Sequence, residues 1–221
     1  FVTLFSNLIE PYFHDSILKR AVESNFISYE FYNPRDFTTN KHKKVDDQMV
    51  GGGAGMLLSC QPLFDCLDEI KSKNEDAYII FPLAAAKPFK QNDAKRLAKK
   101  KNIVFVSGRY EGIDERVIEK YANEVFSIGE FVLTGGELPS LVMADAIARN
   151  VKDVLGNADS LDVESYENNL LEAPSFTKPE IFQKLSVVKE FLKGNHSKIS
   201  DLKIQMSKCK TKYYRPNKEK R

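Results

Sequence analysis

The fold of this chain depends on one stretch, Ser127-Ile128-Gly129-Glu130-Phe131-Val132-Leu133-Thr134-Gly135-Gly136-Glu137-Leu138-Pro139. A short apolar strand ends there in paired glycines, and a helix follows. Glycine permits a positive φ and a close approach of the main chain to a ligand. Pro139 suits the first turn of a helix, where its missing N–H is no loss. We interpret the stretch as a binding loop, although a plain strand-to-helix turn would use the same glycines.

Outward from this loop, apolar runs alternate with amphipathic segments. Continuous apolar runs are typical of buried parallel strands, and apolar positions three or four residues apart are typical of helices. Strands are predicted at Phe1–Phe5, Ile27–Tyr32, Ala77–Leu83, Ile103–Val106 and Val125–Ile128. Helices are predicted at Pro11–Val22, Gln61–Lys71, Asn92–Lys101 and Leu138–Arg149, with Asn92 as the cap of the third. A further helix is predicted to end at about Tyr121. This alternation predicts an α/β fold with a mostly parallel sheet.

The C-terminal part of the chain has a different character. Residues 157–170 have little apolar content and are predicted to be a flexible linker. Beyond them, the spacing predicts an amphipathic helix at Pro179–Leu192, a break at Gly194-Asn195 and a basic helix towards Cys209. The predicted domains are therefore 1–156, the linker 157–170 and a small helical domain at 171–221.

Composition places the chain among globular proteins with a substantial core. It has 221 residues, of which 42% are hydrophobic and 29% charged. The formal net charge of +2 is too small to indicate a nucleic-acid partner by itself. The charge is unevenly distributed, however, because Lys203–Arg221 holds eight Lys or Arg against a single Glu, while Asp159–Glu172 is acidic. A polyanion-binding surface would show this asymmetry, and so would a solvated tail.

The three cysteines, Cys60, Cys66 and Cys209, form no CxxC pair and have no zinc-ligand spacing. Their odd number argues against a disulfide scaffold and for a reducing compartment. No apolar run approaches the ~20 residues that span a bilayer, and the N-terminus lacks a signal-peptide pattern. We therefore expect a cytoplasmic protein without a membrane segment.

Two further loops are rich in glycine. Gly51–Gly55 follows two carboxylates and suggests a phosphate cradle, but a P-loop would continue with Lys and Ser or Thr, and here Met56 and Leu57 follow. The nucleotide-hydrolysing interpretation is therefore weak. The second loop, Ser107–Val117, comes directly after a predicted strand, and open α/β sheets bind ligands at that end of their strands.

Five motifs, in this order, closely resemble the bacterial tRNA (guanine-N1)-methyltransferases of the TrmD type. They are Pro34-Arg-Asp-Phe37, Val45-Asp-Asp47 with Gly51-Gly-Gly-Ala-Gly-Met56, Gly108-Arg-Tyr-Glu-Gly-Ile-Asp-Glu-Arg-Val117, the opening stretch, and Val154-Leu-Gly156. The resemblance covers nearly the whole chain. It implies a SPOUT-type domain with a trefoil knot in its carboxyl half, although true knots are nearly absent from proteins. It also implies a homodimer in which both subunits engage the tRNA anticodon stem-loop.

The activity implied by the resemblance is methyl transfer from S-adenosylmethionine to N1 of the guanosine at tRNA position 37, beside the anticodon. A knotted tRNA-binding module without catalysis is the alternative. The resemblance also implies a dependence on Mg²⁺, for which the sequence offers no ligand cluster.

The same resemblance implies which residues act. Arg149 matches the family's substrate-contacting arginine, and Glu164 aligns with the family's linker aspartate as general base, with Asp162 as the fallback. Where the family has Pro-x-Gly, this chain has Leu83-Ala84-Ala85-Ala86. The implied methyl-donor residues are Phe81, Pro82, Leu83, Gly108, Tyr110, Glu111, Gly112, Ile128, Gly129, Glu130, Phe131, Val132, Leu133, Gly135, Gly136 and Pro139.

Overall fold

The computed structural model describes residues 1–156, 164–166 and 169–216. The chain divides into two compact units, Phe1–Gly156 and Asn157–Arg221. Most of the predicted linker 157–170, the fallback base Asp162 and residues 217–221 lie outside the described residues. The separate linker therefore stays a prediction.

The first unit alternates strands and helices. Its strands are β1 Asp46–Gln48, β2 Met56–Leu58, β3 Tyr78–Pro82, β4 Ile103–Phe105 and β5 Glu124–Phe126. Its α-helices are α1 Ser16–Glu23, α2 Cys60–Lys73, α3 Gln91–Leu97, α4 Glu115–Tyr121 and α5 Glu137–Ala148. The predicted succession of strands and helices from β3 to α5 is confirmed.

Strands β4, β3 and β5 form a parallel sheet in that order. Ile80 of β3 stands opposite Phe105 on one side and Glu124 on the other, so β3 is the central strand. β1 and β2 form a separate antiparallel hairpin. Because all three sheet strands run the same way, their carboxyl ends lie at one edge, where the predicted binding loops begin.

Helices cover both faces of the parallel sheet. One apolar cluster packs α2 and α4 against β3 and includes Leu67, Ile79 and Phe81. The other packs α3 and α5 against the opposite face and includes Ile80 and Met143. Side chains alternate between faces along a strand, so neighbouring residues of β3 enter different clusters. Burial on both sides explains the continuous apolar sequence of this strand.

The predicted strands Phe1–Phe5 and Ile27–Tyr32 are wrong as strands. The chain is extended there, but Val2 makes only single bridges, one to Tyr32 and one to Val106. The aromatic side chains of both stretches instead pack ring against ring in a separate cluster. Side-chain packing and isolated backbone hydrogen bonds, such as Val2 N–H to Phe105 O and Tyr32 N–H to Phe1 O, both at 2.8 Å, therefore hold these segments where no ladder forms.

The predicted cap of α3 is also wrong. The cap is Lys90, and Asn92 lies inside the first turn. The backbone N–H of Lys90 donates to Asp93 Oδ2 at 3.1 Å. An acidic side chain at the third helical position thus binds back to the backbone of the cap residue.

The second unit contains a hairpin, β6 Ile181–Phe182 and β7 Leu185–Ser186, and the helix α6 His196–Tyr214. Asn195 caps α6 by accepting a hydrogen bond from the backbone N–H of Lys198 at 3.1 Å. The basic helix towards Cys209 is therefore confirmed and continues to Tyr214.

The helix predicted at Pro179–Leu192 is wrong. Gln183 and Lys184 have φ values of 47° and 70°, and two consecutive left-handed residues form a tight hairpin turn that no α-helix contains. A short 3₁₀-helix, Lys189–Leu192, ends the segment.

No helix in the described ranges is long and apolar enough to cross a membrane.

Candidate functional site

A cavity of about 200 Å³ lies where the loops after β3, β4 and β5 meet. Its walls come from residues 82–84, 108–113, 126–129 and 131–136, together with Pro139. The predicted donor-binding residues that it brings together are Pro82, Leu83, Gly108, Tyr110, Glu111, Gly112, Ile128, Gly129, Phe131, Val132, Leu133, Gly135, Gly136 and Pro139. The loops that the sequence singled out after β4 and β5 thus line one pocket.

Two predicted donor residues lie apart from the pocket wall. Phe81 is fully buried in the cluster beneath α2 and α4, because it points to the opposite face of β3 from Ile80. Glu130 is exposed and does not line the cavity. Conversely, the wall includes Arg109 and Thr134, which the sequence analysis did not select. Their neighbours in sequence were selected, and that adjacency was the signal available.

The glycines after β5 have a different purpose from the one predicted. None of Gly129, Gly135 and Gly136 has a positive φ, so that part of the prediction is wrong. At Gly136 the main chain closely approaches another segment of backbone, and its N–H donates to Gly108 O at 2.8 Å. A Cβ there would lie 2.7 Å from Gly108 N and 2.8 Å from Ser107 Cα. Glycine is needed because two backbones touch.

The loop after β4 makes a tight turn on the pocket wall. Tyr110 has a φ of 61° and Gly112 a φ of 132°, and Gly112 N–H donates to Arg109 O at 3.1 Å. Glu111 N–H donates to Met56 O at 3.0 Å, which ties the turn to β2. The β1–β2 hairpin therefore supports the turn that carries Glu111.

Asp114 ends this loop and caps α4. Its carboxylate accepts hydrogen bonds from the Arg116 backbone N–H at 3.0 Å and from the Arg116 side chain at 2.9 and 2.7 Å. The hydrogen bonds from Arg116 hold the pKa of Asp114 well below its ordinary value. A charged acceptor at this position satisfies the free donors at the start of the helix.

The two residues expected to act on the guanine lie in different units. Arg149 is half-buried at the C-cap of α5, and its backbone N–H donates to Asp145 O at 3.1 Å. The Asp145 carboxylate accepts a hydrogen bond from the Tyr12 hydroxyl at 3.2 Å. Glu164 is half-buried in the second unit.

Gly51–Gly55 lies between the antiparallel strands β1 and β2. A P-loop joins a strand to a helix whose N-terminus faces the phosphates, so this hairpin lacks the required geometry. Among the described residues, no group of three or more His, Cys, Asp or Glu side chains is arranged to hold a metal ion. The expected Mg²⁺ dependence therefore has no candidate ligands in that part of the chain.

Comparison with known proteins identifies the family. A family profile described as tRNA (Guanine-1)-methyltransferase TrmD matches residues 1–221. A tRNA (guanine-N(1)-)-methyltransferase of Sulfurimonas denitrificans is 65% identical over 216 residues, which are 98% of this chain and 94% of that protein. A protein of the same name from a Sulfurovum species is 65% identical over 217 residues, 98% of this chain and 96% of that protein. The chain belongs to the TrmD family of tRNA (guanine-1)-methyltransferases.

Proposed function

We propose that the chain transfers a methyl group from S-adenosylmethionine to N1 of the guanosine at position 37 of tRNA, beside the anticodon. The observation that carries the proposal is the pocket at the ends of the parallel strands. Its walls are the loops that the TrmD resemblance assigns to the methyl donor. Relatives at 65% identity bear the name of this activity. A cytoplasmic location, where tRNA is found, belongs to the same proposal.

The pocket wall fits such a donor. Gly135 and Gly136 line the pocket without side chains, so their part of the wall offers peptide groups. Leu83 and Leu133 supply apolar surface for a purine, and the Glu111 carboxylate supplies negative charge for a cation. When bound, S-adenosylmethionine supplies an electrophilic methyl group on a sulfonium. The chain has to hold that group in line with the acceptor and exclude water.

The acceptor nitrogen needs a base, because N1 of guanine carries its proton at neutral pH. We assign that proton to the carboxylate of Glu164, one methylene longer than the family's aspartate. Arg149 is assigned to orient the guanine, since its planar guanidinium can donate two parallel hydrogen bonds to acceptors on one base edge. Asp162 is the competing base if the register shifts by two residues.

The proposal includes the SPOUT trefoil knot and a homodimer, in which the base of one tRNA lies between one subunit's knot and the other subunit's C-terminal part. An exposed apolar strip supports the dimer: Leu138 is 55% and Val142 43% exposed, one turn apart on α5. Tyr12, also exposed, is hydrogen-bonded to the next turn of the helix through Asp145. Sedimentation at micromolar concentration should give about 50 kDa, and a species of only 25.2 kDa would contradict the dimer.

Helix α6 is proposed to contact tRNA phosphates. Lys208, Lys210 and Lys212 lie on its last turns, and Tyr213 and Tyr214 are 78% and 66% exposed. Exposed aromatic rings stack on unpaired bases, and lysines contribute a salt-dependent attraction to phosphates. Replacing the three lysines by Gln should lower tRNA affinity and flatten its salt dependence. If a folded variant shows an unchanged salt dependence of tRNA affinity, this segment does not contact the tRNA and only increases solubility.

The decisive experiment is single-turnover methylation of a tRNA transcript with guanosine 37, with labelled S-adenosylmethionine and an adenosine-37 transcript as control. Glu164→Gln should slow the reaction by about 10²- to 10⁴-fold, the usual range for a general base, while binding both substrates. Asp162→Asn, measured beside it, should react nearly normally. The opposite pattern would move the role to Asp162. A wild-type protein that binds tRNA but transfers no methyl group would favour the binding module.

A further inference from the structure

One buried charge is not explained by the proposed chemistry. Among the buried residues that the structure describes, Glu137 is the one from the Asp, Glu, Lys, Arg and His types, and its exposure is 3%. It is the first residue of α5, directly after Gly135 and Gly136. Burying a carboxylate is costly unless partners compensate for its lost hydration. The contacts of Glu137 should therefore show which feature of the structure requires a buried carboxylate.

Glu137 has partners from two other segments. The Thr3 hydroxyl donates to Glu137 Oε1 at 2.8 Å. Arg109 Nε lies 2.8 Å from Glu137 Oε2. This pair has the distance but not the direction of a hydrogen bond, and neither atom has another hydrogen-bond partner among the described residues. The attraction is therefore electrostatic, and each buried atom depends on the other.

The far end of Arg109 reaches the loop after β5. Its Nη1 lies 3.4 Å from Thr134 O, and its guanidinium lies 4.6 Å from the centre of the Phe5 ring. A Cβ on Gly135 would lie 2.5 Å from Arg109 Nε and 2.7 Å from Glu137 Oε2. The ion pair is thus packed directly against the pocket loop. Arg109 itself lines the pocket and precedes the left-handed turn at Tyr110.

Stability alone is a poor reason for such a pair. A buried ion pair often contributes no more than a well-packed apolar replacement, whereas breaking it leaves an uncompensated charge. What the pair does provide is a fixed distance between two loops that have no strand pairing with each other. Further ties between them are the contact of Arg109 Nη1 with Thr134 O and the hydrogen bond from Gly136 N–H to Gly108 O at 2.8 Å.

We propose that Glu137 is a positioning residue for methyl-donor binding: its buried carboxylate holds Arg109 and so fixes the loop after β4 against the loop after β5. This inference rests on the proposed function, because it takes the pocket between these loops to be the donor site. Glu137 itself does not line the cavity. Its effect on the donor is therefore transmitted by Arg109 and by the register of the two loops.

The test compares Glu137→Gln with Thr3→Val. The first keeps the size of the side chain and an acceptor for Thr3 but removes the charge that pairs with Arg109. The second removes only the neutral hydrogen bond. Calorimetry of the full-length protein with S-adenosylhomocysteine should show about tenfold weaker binding for Glu137→Gln, or about 1.4 kcal/mol, and a smaller loss for Thr3→Val. Affinity for tRNA alone should be unchanged.

A double-mutant cycle with Arg109→Gln separates positioning from general destabilisation. If Glu137 acts through Arg109, the double variant should bind S-adenosylhomocysteine no more weakly than the worse single variant. Effects that simply multiply, or normal affinity in a folded Glu137→Gln protein, would overturn the inference. If Glu137→Gln does not fold, the S-adenosylhomocysteine affinity of Arg109→Gln is measured instead. A normal affinity for that variant would also overturn the inference. Failure of the wild type to bind S-adenosylhomocysteine would instead refute the proposed donor site.

Discussion

Two glycine-rich loops of the first unit use the same residue for opposite reasons. In the loop between β1 and β2, Gly51 and Gly52 have φ values of 95° and 87°, and a Cβ on either would meet no described heavy atom within 4 Å. In the loop before α5, Gly135 and Gly136 have ordinary φ values, but a Cβ would meet neighbouring atoms below 3 Å. Gly51 and Gly52 therefore provide conformational freedom, whereas Gly135 and Gly136 provide space.

The difference distinguishes a turn from a segment that lines a pocket. Positive φ bends the chain on itself and makes no demand on the surroundings. Missing Cβ atoms allow two main chains to meet, which is what builds the pocket wall at Gly108 and Gly136. A single alanine series across both loops can therefore measure the two causes separately.

The largest effect is expected for Gly136→Ala. Its Cβ would lie 2.7 Å from Gly108 N, a backbone atom that cannot move without shifting the whole loop. S-adenosylhomocysteine affinity should fall about 100-fold, equivalent to about 2.7 kcal/mol. Calorimetry measures this, with circular dichroism to establish folding. Normal affinity would mean that the loops separate readily and that close approach is not required.

A smaller loss is expected for Gly135→Ala. Here the added Cβ meets side-chain atoms, Arg109 Nε and Glu137 Oε2, which can rotate away at the expense of their ion pair. Donor affinity should fall about tenfold, equivalent to about 1.4 kcal/mol, in the same calorimetric assay. A loss as large as that of Gly136→Ala would show that the ion pair is as rigid as the backbone.

Gly51→Ala should affect stability and leave the pocket intact. Left-handed backbone costs a non-glycine residue about 1 kcal/mol, and no steric term is added because the surrounding space is open. Chemical denaturation should report that loss of unfolding free energy, while donor affinity stays at the wild-type value. Weaker donor binding would mean that the β1–β2 loop takes part in the site.

The smallest effect is expected for Gly156→Ala, the control for both causes. Gly156 has no positive φ, and its Cβ would meet no described heavy atom within 4 Å. Alanine should raise the unfolding free energy by about 0.5 kcal/mol, because it restricts the unfolded chain. A lower unfolding free energy would show that glycine is required at this position for a reason other than a positive φ or a clash with the added Cβ.

The order of strands and helices from β3 to α5 could be predicted because burial leaves a recognisable apolar pattern in the sequence. The continuous apolar run at Tyr78–Pro82 reflects burial on both faces, and the amphipathic pattern at Cys60–Lys73 reflects burial on one. The loops followed from glycines placed just after strands. Individual roles for Glu164 and Arg149 came from the resemblance alone and remain proposals.

Other features depend on contacts that no local pattern contains. The apolar residues Ile181, Phe182 and Leu185 are spaced as on a helix, yet the left-handed backbone at Gln183 and Lys184 folds them into a hairpin. Neither turn residue is Gly or Asn, so the usual hairpin signal was missing. The pairing of Arg109 with Glu137 joins residues far apart in sequence and was equally invisible.

The pocket walls follow three strands that must pair in the order β4-β3-β5 before their loops can meet. Non-local parallel pairing forms slowly, so donor-binding ability should arise late in folding, after β5 and α5 have been synthesised and docked. A ligand that binds only the completed pocket then pulls the folding equilibrium forward by mass action. Under the proposed function, the supply of methyl donor in a growing cell would thus act as a folding aid for the enzyme.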